Sequence, residues 1–268
     1  MRQHRASKAI SALQCSNRSA GAGVSDLRLP RIWYLATASR GHDAVRISVI
    51  IPAFNAARTI EQTIASVLGQ KRPPEEILLV DDGSTDDTGS RAARLSPCIR
   101  VLGQANLGPP AATNRGIREA AGTHLAFIDA DDLWSPDKVA RQEAAFAAEP
   151  ELDAVFGHMR SFVCPSATAD ERRHWHIPGE PQPGWMLGTL LVKQTAVDCV
   201  GFLDERFRIG AAIEWLARIR DGDLRLRMLD AVMMHRRVHA GSLSQRSDAR
   251  DKGYLKLIRA RLHERRNK

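Results

Sequence analysis

Short apolar runs that break off at carboxylates or at a Pro-Asn loop, each followed by a helical pattern, constrain this chain more than any other feature. Residues 46–51 read as a strand closed by Pro52-Ala-Phe-Asn55; residues 77–80 end in Asp81-Asp82; residues 124–128 end in Asp129, Asp131 and Asp132. Runs of this kind suit strands buried on both faces, and strands alternating with helices imply a mainly parallel sheet covered by helices. In such sheets ligands bind beyond the carboxyl ends of the strands. The three polar clusters are therefore expected in one crevice.

Carboxylates crowded at the end of a buried strand repel one another unless a cation lies between them. Mg²⁺ or Mn²⁺ meets that need, because it takes oxygen ligands and keeps positions open for a phosphate. The competing reading is a solvated loop that caps the next helix. Helix signals sit where alternation requires them. Thr59-Ile-Glu-Gln62 reads as a capping box ahead of Ile60, Ile64, Val67 and Leu68 at helical spacing. Gly83 supplies a turn, with Ser84 or Thr85 as the next cap, and Pro109-Pro110 opens a helix through Ile117 and Ala121. Ser135-Pro136 gives an N-cap and first-turn proline for a helix to about Glu149, and residues 152–156 read as a fifth strand.

The 268 residues suit one α/β domain with tails. The net charge of +8 resides in the ends: residues 1–45 carry +5 and residues 246–268 carry +6, leaving −3 on the body. That distribution argues against a nucleic-acid face on the domain. We expect a disordered basic leader over 1–45, the domain over 46–245, and a basic tail over 246–268. In that tail Tyr254, Leu255, Ile258 and Leu262 share a helical stripe, which suits packing on the domain or a peripheral contact with an anionic membrane inner face. Cys15, Cys98, Cys164 and Cys199 lack metal or redox spacing and suit a reducing, cytoplasmic setting. No run approaches the roughly 18 apolar residues of a membrane span.

Taken together, Ser48-Val-Ile-Ile-Pro-Ala-Phe-Asn55, Val80-Asp-Asp-Gly-Ser-Thr-Asp-Asp-Thr88, Asn106-Leu-Gly108 with Ala112-Thr-Asn-Arg-Gly116, and Phe127-Ile-Asp-Ala-Asp-Asp-Leu-Trp134 resemble the successive motifs of the family 2 glycosyltransferases. These are inverting enzymes with the GT-A fold. The resemblance, over about 46–245, implies a Rossmann-like, mostly parallel central sheet with helices on both faces and an acceptor-side C-terminal half. It also implies a metal-dependent transfer of a sugar from a UDP-, dTDP- or GDP-sugar to an acceptor hydroxyl, the acceptor being lipid-linked or a polysaccharide. Pro52, Phe54 and Asn55 would wrap the base, Asp81 or Asp82 would bond base or ribose, and Asn114 would hydrogen-bond ligand or turn the chain. Asp129 would lie nearer the sugar, and Asp131 with His239 would hold Mn²⁺ or Mg²⁺. Arg237 or Arg236 would meet a phosphate.

Two departures from the family pattern stand out. Thr113 occupies a place where many members have Arg, so Arg115 or Lys138 is the substitute cation for the phosphates. Ala211-Ala212 fall where an acidic pair is usual, which leaves Glu214, beside Trp215, as the candidate base. An ion pair with Arg218 at i, i+4 is the competing role for Glu214, and a nucleotide-sugar-binding protein without catalysis is the competing function. Residues 165–184, with His174-Trp-His176, read as a long acceptor-side loop.

Overall fold

The computed structural model describes residues 45–175 and 177–240. The leader up to residue 44, His176 and the basic C-terminal stripe lie outside the described residues. Four strands form the parallel half of the sheet in the order β3-β2-β1-β4: β1 (Ile47–Ala53), β2 (Glu76–Asp81), β3 (Ile99–Gly103) and β4 (His124–Phe127). They are joined by α1 (Ile60–Leu68), α2 (Thr88–Leu95) and α3 (Pro109–Glu119). The register pairs Ala53 with Asp81 and Ile50 with Phe127, so the carboxyl ends of β1, β2 and β4 share one edge. That is the arrangement the alternating pattern requires.

The second half is mixed. After β5 (Leu133–Trp134) and α4 (Lys138–Ala148), the chain forms β6 (Ala154–Val163), α5 (Ala169–His174), β7 (Gln182–Pro183), β8 (Leu191–Lys193), α6 (Gln194–Val200), α7 (Ala211–Asp221) and β9 (Leu226–Val238). The sheet continues β4-β8-β6-β9-β5, with β8 antiparallel to both β4 and β6. The strand expected at 152–156 thus begins two residues later, extends to Val163, and does not take the slot beside β4. Leu191 and Val192 of β8 are fully buried, and with Lys193 they fill that slot from the opposite direction. The expected loop over 165–184 contains α5 and β7.

Two hydrophobic clusters cover the sheet, one on each face. Ile60, Ile64 and Val67 of α1, Ala92 of α2, and Val139 and Phe146 of α4 join Val49, Ile51 and Ala126 on one side. Ile117 of α3, Val197 of α6, and Trp215 and Ile219 of α7 join Ile50, Leu125, Phe127 and Phe156 on the other. Each fully buried aliphatic or aromatic side chain contributes about 1.5–3 kcal/mol, which fixes which face each helix presents. Gly116 lets α3 lie close to β1, since a Cβ there would stand 2.4 Å from Ile50 Cγ2.

Three expected helix caps are corrected. Thr59 precedes α1 but makes no side-chain cap bond, because its hydroxyl donates to the Ala130 carbonyl at 2.9 Å. Neither Ser84 nor Thr85 caps α2; Asp87 holds that position without a cap bond, and the Asp86 carboxylate accepts the Thr88 amide at 3.0 Å. At α4 the helix starts at Lys138 instead of Pro136, and the backbone carbonyl of Ser135 accepts the Lys138 amide.

Candidate active site at the carboxyl edge

The acidic turn after β4 is built by its neighbours. Asp132 N donates to Asp129 O across the turn. From α1, Thr59 and Thr63 donate to the Ala130 carbonyl at 2.9 and 3.0 Å, and the Thr63 hydroxyl is shared with the Asp132 carbonyl at 2.9 Å. Ser66 accepts the Trp134 amide. From β9, Arg237 Nε donates to Asp131 O at 2.7 Å, its backbone N donates to Asp132 Oδ1 at 2.8 Å, and Nη2 donates to Gln62 Oε1 at 2.7 Å. The turn is therefore held from two elements distant in sequence, which fixes where its side chains emerge. Sequence reasoning missed the α1 contribution. Its signal was Thr63, a polar residue inside the apolar stripe of Ile60, Ile64 and Val67.

Electrostatics divide the three acids. Asp132 is almost completely buried, and desolvation, reinforced by the charges of Asp131 and Asp129, raises its carboxyl well above the usual range, against the Arg237 amide bond and Arg236. Asp129 is open to solvent by area, yet protein surrounds it closely enough to hold bulk water away. That desolvation, with the charge of Asp131, raises it to about 6, while Arg236 opposes the rise. Asp131 Oδ2 lies 2.8 Å from His239 Nε2, and this hydrogen bond is the main reason the imidazole titrates above its ordinary value.

The neighbouring strand tips are stitched together. Asn55, at φ +50°, accepts the Thr85 amide at 2.8 Å through Oδ1, and its own amide donates to Ser84 Oγ at 2.9 Å. Phe54 beside it is 49% exposed, and Pro52 is half-buried. Asp81 accepts the Ser84 amide at 2.9 Å. Asp82 is buried and receives Gln104 Nε2, Leu107 N and Gly108 N at 2.8, 2.9 and 2.8 Å, so it organises the loop that leads into α3.

Asn114 is buried and staples α3 to the loop before α7: Nδ2 donates to Leu203 O and Glu205 Oε1, and Oδ1 accepts Leu203 N. Of the cations suggested in place of Thr113, Arg115 donates to Gly103 O. Lys138 is excluded from the phosphate role. It is fully buried, with Nζ 4.1 Å from the Trp134 ring centroid and bonded to Gln142 Oε1, and burial depresses its pKa to about 7.

The structure thus brings Asp129, Asp131, Asp132, Arg237 and His239 together, with the Asn55 and Asp81-Asp82 loops at adjacent strand tips. Glu214 lies on the first turn of α7, where both carboxylate oxygens accept Arg218 Nε at 2.9 and 3.0 Å. Arg218 in turn donates to Val200 O and Phe202 O, tying α7 to the loop before it. The helix packs at this end on β4, with the Trp215 ring edge-on to Phe127 at 5.9 Å.

Known proteins resemble this chain in sequence and in fold. The model of the family described as Glycosyl transferase family 2 covers residues 48–205. An uncharacterized glycosyltransferase of Rickettsia felis is 43% identical over 119 residues, which are 44% of this chain and 19% of that protein. The glucosyltransferase WfaP of Escherichia coli, whose name gives UDP-Glc and α-D-GlcNAc-diphosphoundecaprenol, is 28% identical over 82% of this chain and 89% of its own length. Among solved structures, residues 1–349 of TarS from S. aureus, in complex with UDP, superpose with a TM-score of 0.57 at 20% identity, over 73% of this chain and 61% of that one. The last likeness establishes the GT-A-type α/β fold.

Proposed function

The chain belongs to glycosyl transferase family 2, and from that premise we propose that it moves a sugar from a nucleotide-sugar donor to an acceptor hydroxyl with inversion. The observation that carries the reading is the convergence of Asp129, Asp131, His239 and Arg237 at the edge where the β1 and β2 loops also end. Asn55 and Phe54 would receive the base, and Asp81 and Asp82 would shape the ribose side of the pocket. Binding of UDP by TarS and the donor in the name of WfaP support a UDP-sugar as the first donor to try. The latter name also supports a lipid-linked sugar as acceptor. Free thiols at Cys98, Cys164 and Cys199 agree with a cytoplasmic setting, and no helix among the described residues is long and apolar enough to cross a membrane.

We propose that Asp131 and His239 would offer a divalent metal one oxygen and one nitrogen ligand. Asp131 Oδ2 and His239 Nε2 form an oxygen-nitrogen pair 2.8 Å apart, and among the described residues no further His, Cys, Asp or Glu completes a group of three. Such a pair suits Mn²⁺ or Mg²⁺ whose other positions are filled by a diphosphate. When bound, the ion would offset charge on the departing nucleoside diphosphate.

For the base we propose Glu214, with Arg218 orienting its carboxylate, since α7 packs on Phe127 two residues short of Asp129. The same ion pair, together with Ala211-Ala212, favours a second reading in which the protein binds donor without turning it over. Release of nucleoside diphosphate from a UDP-sugar with Mn²⁺ separates the two, because a binder shows affinity and no release. Glu214→Gln keeps an acceptor for Arg218, so the transferase reading expects release to fall at least a hundredfold. An unchanged rate removes Glu214 from the chemistry.

A further inference from the structure

Trp185 is 44% exposed, although it follows buried Gly184 and rests on fully buried Phe156, and its position is constrained by the loop around it. Gly184 N donates to Gly157 O of β6, and the Gly184 carbonyl accepts the Thr189 hydroxyl. The Thr189 hydroxyl also donates to Met186 O, and Gly188 O accepts Trp134 Nε1 at 3.0 Å. The indole leans on Phe156, ring centroids 4.8 Å apart and planes at 50°. A large aromatic ring held on a clamped loop, supported from within and open outside, is preorganised for a ligand and loses little entropy on binding.

The register tells which ligand. In β4, Leu125 and Phe127 point into the cluster that contains Phe156 and Trp215, whereas Ala126 and Ile128 point into the other. Continuing that alternation, Asp129 emerges on the Phe156 face, the face of Trp185. With strands spaced about 4.8 Å, β6 beside Trp185 lies roughly 10 Å from β4 and about 14 to 19 Å from β1 and β2. Trp185 therefore stands across Asp129 from the Asn55 and Asp81 loops, on the sheet face that α7 also covers. We infer that Trp185 is an acceptor-binding residue: its indole forms a platform on which the apolar face of a pyranose ring of the acceptor stacks. This inference rests on the sugar-transfer reading and adds the place and chemical class of its second substrate.

The test uses the full chain with UDP and Mn²⁺ present and the methyl glycosides of glucose, N-acetylglucosamine, galactose and rhamnose as probes, read by saturation-transfer NMR. At least one glycoside binds saturably to the wild type. Trp185→Ala weakens that glycoside tenfold or more, whereas Trp185→Phe, which keeps a flat ring, stays within about threefold. The rise in melting temperature produced by UDP serves as the folding control for each variant. Equal glycoside binding by Trp185→Ala, or no glycoside binding to a wild type that UDP stabilises, overturns the inference. Failure of UDP, dTDP and GDP alike to stabilise the wild type would instead strike the sugar-transfer reading itself.

Discussion

Two ionisable side chains are held against their preferred charge, and each makes a prediction. The Asp132 carboxyl is raised by desolvation and by Asp131 and Asp129, so the unfolded chain gives up its proton at lower pH than the folded one. Stability then falls as pH rises from about 4 through the folded-state pKa. Asp132→Asn keeps an acceptor for the Arg237 amide and removes the buried charge. It should raise the melting temperature by several degrees at pH 7 to 8 without metal, and flatten its decline with pH. Lys138 has the opposite sign: desolvation lowers it to about 7 with no carboxylate partner among its bonds to Gln142 and Leu190. The cost is complete below that pH, and stability rises as pH climbs from about 7 to about 10. Lys138→Met should abolish the rise, which is on the order of several kcal/mol at about 1.4 kcal/mol per pK unit. Melting curves from pH 5 to 10 on both variants check these slopes.

Among the elements, α1 does more than cover the sheet. One of its faces supplies Ile60, Ile64 and Val67 to the core, and Thr59, Gln62, Thr63 and Ser66 hold the acidic turn and Arg237. Thr63→Val preserves shape but removes the side-chain donor of the Asp132 carbonyl and leaves the Ala130 carbonyl with Thr59 alone. A loss of about 1–3 kcal/mol in denaturant unfolding is expected, with weaker nucleotide binding because the turn loses its anchor. The helices themselves were legible, since apolar spacing and Pro109-Pro110 mark α1 and α3 without reference to the fold. Their caps were not. The residues that look like caps, Thr59 and Ser84, spend their hydroxyls on Ala130 O and the Asn55 amide, partners that only the tertiary structure supplies. Local pattern cannot rank a cap bond against a cross-chain bond of similar strength.

At the scale of the whole molecule, the parallel half and its acid-tipped edge could be read directly, because β1, β2 and β4 are continuous apolar runs that end in polar residues. The mixed half could not. Leu191–Lys193 is three residues long, and nothing in so short a run says that it enters beside β4 in the antiparallel sense. For the same reason the roles of Asp82, Asn114 and Glu214 stayed open: their partners Gly108, Leu203 and Arg218 are set by loop packing. Residues 129, 131 and 132 needed no such knowledge, since three acids after a buried strand are unusual wherever they occur. The claim that carries the account is that this edge binds a nucleoside diphosphate together with a divalent ion. The most direct measurement is the melting temperature of wild type and Asp131→Asn with UDP, dTDP or GDP, each with and without Mn²⁺. Stabilisation by at least one nucleotide that increases with Mn²⁺ and disappears in Asp131→Asn is the predicted result; no stabilisation, or equal stabilisation of the variant, would contradict it.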